Sequence, residues 1–207
     1  VRSFRVSKPG RVTRCDGIGA QAREQMQMSV TTLGCACGTV QLELEGAPIV
    51  VAQCHCNSCR EAAQRLARLR GAPVVTGAPD GVDHVLYRKD RLRLTRGRET
   101  LRHFRLGPKR KTRRVIASCC NSPVLVEFDG GHWASLYGTL WPAGTLPALD
   151  LHTMTGDRVD TTPLHDGVPA GRWATTKFFA TLLAAWLAMG FRAPALAATT
   201  PEVELRG

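Results

Sequence analysis

The sequence predicts a mainly β protein, an antiparallel fold with few helices. Short apolar or alternating runs recur at roughly ten-residue spacing between Thr39 and Leu140, punctuated by Gly, Pro, Asn and Asp. Helical periodicity is confined to a stretch after Cys59 and another after Lys177. The cysteines add a third observation. Seven of the 8 fall in three clusters, Cys35/Cys37, Cys54/Cys56/Cys59 and Cys119/Cys120, with Cys15 apart. Such spacing suits a metal in a reducing compartment better than a secreted disulfide framework.

Residues 1–28 are polar and basic, with Arg2, Arg5, Lys8, Arg11 and Arg14, and read as a disordered or poorly packed leader. Met28 is a candidate natural start. No apolar signal core is visible, and the expected location is cytoplasmic. Asp16-Gly17-Ile18-Gly19 follows no apolar strand, which argues against a phosphate loop. The folded part begins near Thr31, in a zinc-binding β domain over 29–145. Thr39–Glu45 alternates as a half-buried strand, closed by Gly46 and Pro48. Ile49–Ala52 is a second short strand leading into Cys54-His55-Cys56-Asn57-Ser58-Cys59.

That C-x-C-x-x-C run brings three thiols toward one point, three of the four ligands that zinc takes in a tetrahedron. Ser58-x-x-Glu61 reads as a capping box that starts a helix at Cys59. Ala62, Ala63, Leu66 and Leu69 give it an apolar stripe, and Gly71 and Pro73 end it. Cys59 would then sit in a first helical turn, where N–H groups and the helix dipole favour a thiolate. His55 lies between two ligands, and strand alternation turns it away from their sulfurs.

A loop over 71–83 precedes strands at His84–Tyr87, Arg91–Thr95, Leu101–Leu106, Arg113–Ser118, Val124–Phe128 and Trp133–Leu140. Turns at Arg96-Gly97, Gly107-Pro108 and Asp129-Gly130-Gly131 separate them. From Trp141 to Trp173 the text is rich in Pro, Gly, Asp and Thr and reads mostly as loop. The last part, 146–207, is a loop-rich extension carrying a helix over Lys177–Gly190. Its rows are Phe178/Leu182/Trp186 and Phe179/Leu183/Leu187. The uncharged run is shorter than the roughly 20 residues a bilayer span needs. It is expected to pack on the domain or to form a homo-oligomer contact; it lacks the basic polar face of a membrane-surface helix.

Hydrophobic residues make up 43% of the 207, charged residues 22%, and the net charge is +11, which reads as soluble and globular. Between Arg60 and Arg114, 14 Arg and 3 Lys stand against 3 Asp and 2 Glu, a net of +12, so the excess lies in mid-chain. It serves a solvated face, nucleic acid, or a small acidic ligand. Aromatic content of 6%, with Tyr87 and Phe104 alone in that segment, weighs against single-strand recognition.

Three motifs together resemble the glutathione-dependent formaldehyde-activating enzyme and centromere-protein-V domain family. They are Cys35-Ala36-Cys37-Gly38, Cys54-His55-Cys56-Asn57-Ser58-Cys59-Arg60 and Cys120-Asn121-Ser122-Pro123, and the resemblance spans about Leu33 to Leu140. It implies two facing sheets stapled by zinc, and carbon–sulfur lyase chemistry on glutathione adducts. Carried over by position, Cys54, Cys56 and Cys59 would hold a catalytic zinc; Cys35, Cys37 and Cys120 would hold a structural one. In the family's C-x-x-C frame the partner of Cys120 falls on Ala117, and the extra thiol is the adjacent Cys119. Neighbours in a strand face opposite ways. Cys119 therefore completes the structural site if the chain bends there; otherwise it is free to close the central site instead. Asn121 stands where the family has Gly, a position Asn accepts.

The expected function is thus a zinc-dependent carbon–sulfur lyase acting on a thiol adduct, of glutathione type, of a small aldehyde. The thiol is gripped by nearby arginines, Arg60 first. The alternative is a zinc-stabilised, non-catalytic module using its Arg-rich face for nucleic acid or an acidic partner.

Overall fold

The computed structural model describes residues 29–77, 80–196 and 200–205; the basic leader, with Cys15 and the glycine-rich Asp16–Gly19, lies outside them. Eleven strands are found there: β1 Val30–Gly34, β2 Gln41–Glu45, β3 Val50–Cys54, β4 Thr76–Gly77, β5 Gly81–Arg88, β6 Leu92–Arg96, β7 Leu101–Phe104, β8 Thr112–Ala117, β9 Ser122–Phe128, β10 Trp133–Tyr137 and β11 Leu151–Thr153. Two helices accompany them, α1 Asn57–Ala67 and α2 Gly171–Ala188. Among the described residues the strands form two sheets, β1-β2-β6 and the eight-stranded β11-β3-β5-β10-β9-β8-β7, with β4 beside β5.

The large sheet is buried on both faces, which is why β8, β9 and β10 read as apolar runs rather than strict alternations. One face packs on the small sheet: Val51, Val85, Val115, Leu125 and Leu136 meet Leu42, Leu44 and Leu92. The other face carries the helices. Val82, Ile116, Val126 and Tyr137 pack on Ala62, Ala63 and Leu66 of α1. Val50, Ala52, Leu86 and Leu151 pack on Ala174 and Leu182 of α2. The His132 ring donates from Nε2 to the Leu182 carbonyl at 2.7 Å, and Trp186 stacks on it at 5.6 Å, which anchors α2.

Three sequence expectations need correction. α1 begins at Asn57, not Cys59, because Cys56 rather than Ser58 is its N-cap; the sulfur accepts from the Cys59 N–H at 3.3 Å. Glu61 pairs forward with Arg65 at 2.6 Å instead of closing a capping box. The stretch read as loop from Trp141 to Trp173 contains β11, which pairs with β3 in parallel, the exception in an otherwise antiparallel sheet. Three residues carry no period of their own; a partner strand nearly a hundred residues earlier makes this one. α2 starts at Gly171 rather than Lys177. The hydroxyls of Thr175 and Thr176 donate back to the Gly171 and Arg172 carbonyls, and buried Ala174 holds the added turn to the sheet.

At the free edge of β7, His103 N–H donates to the Pro201 carbonyl at 3.0 Å and Val203 N–H donates to the His103 carbonyl at 2.8 Å, so the C-terminal segment covers that edge. A covered edge offers no template for aggregation. No described helix is long and apolar enough to cross a membrane.

Candidate metal centre

The cysteines converge on two points. Cys35, Cys37, Cys119 and Cys120 form one group, and Cys54, Cys56 and Cys59 another; in each, all sulfurs lie within 4.8 Å of one another. Both groups could hold a metal ion.

The first group joins two turns. Between β1 and β2 the chain reverses at Gly38, whose φ of +75° suits glycine. The Val40 N–H donates to Cys35 Sγ at 3.3 Å. Between β8 and β9, Asn121 takes the left-handed conformation at φ +55°, the role expected of it. That bend brings both sulfurs of the Cys119-Cys120 pair to one centre, and Ser122 Oγ accepts from the Ala36 N–H at 3.0 Å to lock the two turns together. Cys119 Sγ stands 3.3 Å from Cys37 Sγ, 3.8 Å from Cys35 Sγ and 3.9 Å from Cys120 Sγ, with Cys35 to Cys37 at 3.5 Å. Thiolates held by zinc at about 2.3 Å in a tetrahedron stand about 3.8 Å apart. The donor set therefore fits zinc. Cys119 belongs here and does not close the central group. The hydroxyl and backbone of Thr39 bring the Cys37 thiol down to about 6, so one sulfur is already ionised near neutrality.

The second group sits where β3 runs into α1. Cys54 ends the strand, Cys56 caps the helix and Cys59 lies in its first turn. Thiol hydrogen bonds from Cys54 and Cys59, with backbone N–H groups of Cys59 and Ser58, hold Cys56 as a thiolate, down to about 2. Those same contacts push Cys54 up to about 12 and Cys59 well above the usual thiol range. The helix start therefore favours ionisation of its cap, not of Cys59 as the sequence suggested. With the three sulfurs within 4.8 Å of one another, ionisation of Cys56 opposes that of its neighbours, and a divalent cation would let all three ionise. Among the described residues no further Cys, His, Asp or Glu ligand atom joins this trio.

The trio opens into a cavity of about 460 Å³. Its floor is one face of the large sheet, read as i, i+2 pairs from five adjacent strands. They are Ala52/Cys54, His84/Leu86, Ser135/Trp133, Val126/Phe128 and Arg114/Thr112. One wall is the start of α1. The other comes from the C-terminal extension: Met154, Asp157, Phe178 and Phe179. Asp157 also ties that wall to the cysteine loop. Its carboxylate accepts from the Asn57 N–H at 3.1 Å, at the positive end of α1.

His55 is buried and turned to Asp80 and His152. Its Nδ1 lies 3.3 Å from Asp80 Oδ1 and its Nε2 3.1 Å from His152 Nδ1; His152 continues to Asp166 at 2.7 Å. With the backbone bond from His55 N–H to the Thr153 carbonyl, it stitches β11 to the cysteine loop. Arg60 is not among the cavity's lining residues. Its guanidinium donates to the Asp157 carbonyl at 3.0 Å and to the Asn57 side chain. The arginines that line the cavity are Arg110, which is exposed, and Arg114, which is buried with Nη2 donating to the Ser58 carbonyl at 3.2 Å. His84 was not anticipated. It is buried, with Nε2 3.7 Å from Cys59 Sγ, and burial brings it down to about 4, so the ring is neutral at pH 7. Its place on an inward face of β5 is legible from parity, but its neighbour Cys59, 25 residues earlier, is not; the pairing of β3 with β5, which sets Ala52 opposite His84, brings them together.

Residues 30–140 match the model of the glutathione-dependent formaldehyde-activating enzyme family, more than half of the 207 residues. The chain belongs to this family. Both turns of the four-sulfur group and the whole central motif lie within the match, whereas the wall made by Met154, Asp157, Phe178 and Phe179 lies beyond it. A solved structure of a Rhodobacter sphaeroides protein is similar over 68% of this chain and 100% of its own, at 18% identity and a TM-score of 0.40. No curated protein matches the chain.

Proposed function

We propose that the chain is a zinc-dependent carbon–sulfur lyase that cleaves, or in reverse forms, the adduct of a thiol with an aldehyde. One observation carries this reading: the three sulfurs of Cys54, Cys56 and Cys59 line an open cavity, while the sulfur that could have closed them, Cys119, is engaged with the other group. Cys54, Cys56 and Cys59 would hold a zinc ion, which would supply Lewis acidity beside the substrate's sulfur.

In the lyase direction the C–S electron pair goes to sulfur, the hydroxyl oxygen of the adduct closes to a carbonyl, and its proton leaves to water. Arg110 and Arg114 line the same cavity as the sulfurs, and their charge would offset the negative charge that develops and hold the carboxylates of a glutathione-type thiol. In this proposal they take the part first expected of Arg60. The neutral His84 ring orients Cys59 from within the sheet. The four-sulfur group staples the β1–β2 and β8–β9 turns and has a structural role.

Cobalt substitution tests the reading. Addition of glutathione should shift the visible d–d and thiolate charge-transfer bands of the central site. A spectrum indifferent to glutathione and to every other thiol would remove the lyase. The Arg-rich binding module gains no support from the geometry. Arg88, Arg93, Arg105 and Arg113, four of the 14 arginines of the basic segment, each pair with a carboxylate and are to that extent neutralised.

A further inference from the structure

The walls of the cavity have a chemistry that the cysteine motif does not explain. Besides the sulfurs and arginines, the cavity is lined by Leu86, Val126, Phe128, Trp133, Phe178 and Phe179. Phe128 and Trp133 lie ring to ring at 5.6 Å, and Phe178 and Phe179 at 5.2 Å. Phe128 is 42% exposed and Phe179 53% exposed, although both border a concave site. A volume of about 460 Å³ far exceeds what a one-carbon fragment beside a sulfur would fill. A tripeptide thiol is charged and polar along its length, so it matches the arginine side of the cavity and not the aromatic side.

Resting on the lyase reading, we propose that the carbon half of the adduct is bulky and apolar: an aryl or longer alkyl aldehyde, not formaldehyde. Phe128, Trp133, Phe178 and Phe179 determine that specificity. An apolar group on the adduct carbon lies against these rings while its sulfur reaches the cysteine trio, and it covers the exposed faces of Phe128 and Phe179. Two of the four rings come from α2, outside the part of the chain that the family model matches. The extension therefore alters the substrate range of the family's sulfur site without touching its ligands. The hydrophobic contribution is graded by size, since each methylene fully buried in an apolar pocket strengthens binding by up to roughly fourfold.

The test uses stable thioether analogues of the adduct, S-methylglutathione, S-hexylglutathione and S-benzylglutathione. Their binding to the zinc-loaded full chain is measured by calorimetry, next to the cobalt titration with free glutathione. The expected result is S-benzyl and S-hexyl binding at least about tenfold tighter than S-methyl. In Phe179→Ala and Phe128→Ala, whose side chains are about half exposed, that ratio should fall to about threefold or less while the melting temperature drops by only a few degrees. Leu187→Ala, an equally exposed position on α2 that does not line the cavity, should keep the ratio. Equal affinities for the three analogues, or a ratio that survives both Phe substitutions, overturns the proposal while free glutathione still shifts the cobalt bands. If neither free glutathione nor any analogue binds, the lyase reading fails and this inference fails with it.

Discussion

Replacing Cys119 by Ser probes the least expected feature of the chain, a vicinal cysteine pair whose two sulfurs face one centre. Cys119 Sγ lies 3.3 Å from Cys37 and 3.8 Å from Cys35, so it occupies a corner of the four-sulfur group and has no part in the central trio. A structural zinc contributes about 10–16 kcal/mol to the folding of small domains, or about 3 kcal/mol per thiolate when shared among four. For a domain of this size about 3 kcal/mol corresponds to a melting temperature lower by about 6–12 °C. Calorimetry of the zinc-loaded variant should show the lower melting temperature, and elemental analysis after mild chelation should show one zinc per chain where the unsubstituted chain keeps two. The cobalt spectrum of the central trio and its response to glutathione should not change. Two zinc ions retained with an unchanged melting temperature would refute the assignment of Cys119. So would a central cobalt spectrum that acquires its glutathione response only after Cys119 is removed.

Three further outcomes are expected. Cys56→Ser should keep its fold, because a serine hydroxyl can cap α1 in place of the sulfur, yet lose metal from the central site and with it lyase turnover of a glutathione–aldehyde adduct. Lys89→Met should cost about 3–5 kcal/mol in urea unfolding. It takes from the buried Glu127 carboxylate its nearer cation, Lys89 Nζ at 2.6 Å, and leaves Arg113 Nε at 3.8 Å; Lys89→Met with Glu127→Gln should recover most of the loss while keeping an acceptor for the Leu196 N–H. Burial of His132 against α2 lowers its pKa, so the unfolded chain takes up its proton first as pH falls. Stability is full above the unfolded value of about 6.5 and declines below it. Denaturant midpoints measured from pH 8 to pH 5 should show that decline, and it should be smaller in His132→Gln.

Much of the sheet was legible because its strands announce themselves. Gln41–Glu45 alternates, Gly97 and Gly130 take positive φ at their turns, and β5 through β10 lie within a few residues of where periodicity put them. The short pairing of β11 was not legible, since three residues have no measurable period and a parallel partner is remote in sequence. The N-terminus of α1 was misplaced by two residues because a hydroxyl cap was expected where a sulfur does the same work. The same substitution of donors moved the favoured thiolate from Cys59 to Cys56.

The sequence by itself determined the donor types, their grouping into motifs and the family to which the chain belongs, because metal chemistry is written in local spacing. It left open which centre Cys119 joins, since strand parity alone sends neighbouring side chains apart; the left-handed turn at Asn121 decided that. It also placed the guiding cation at Arg60, next in sequence to Cys59, whereas the cavity is lined by Arg110, just before β8, and Arg114 on β8, four strands from β3 across the sheet. Its aromatic wall is assembled from β9, β10 and α2, three elements that meet only because the large sheet buries one face under helices. Spacing along the chain specifies what one turn or one helix can hold. A cavity is bounded by surfaces distant in sequence, and only the packing of sheet against helix brings them to the same sulfurs.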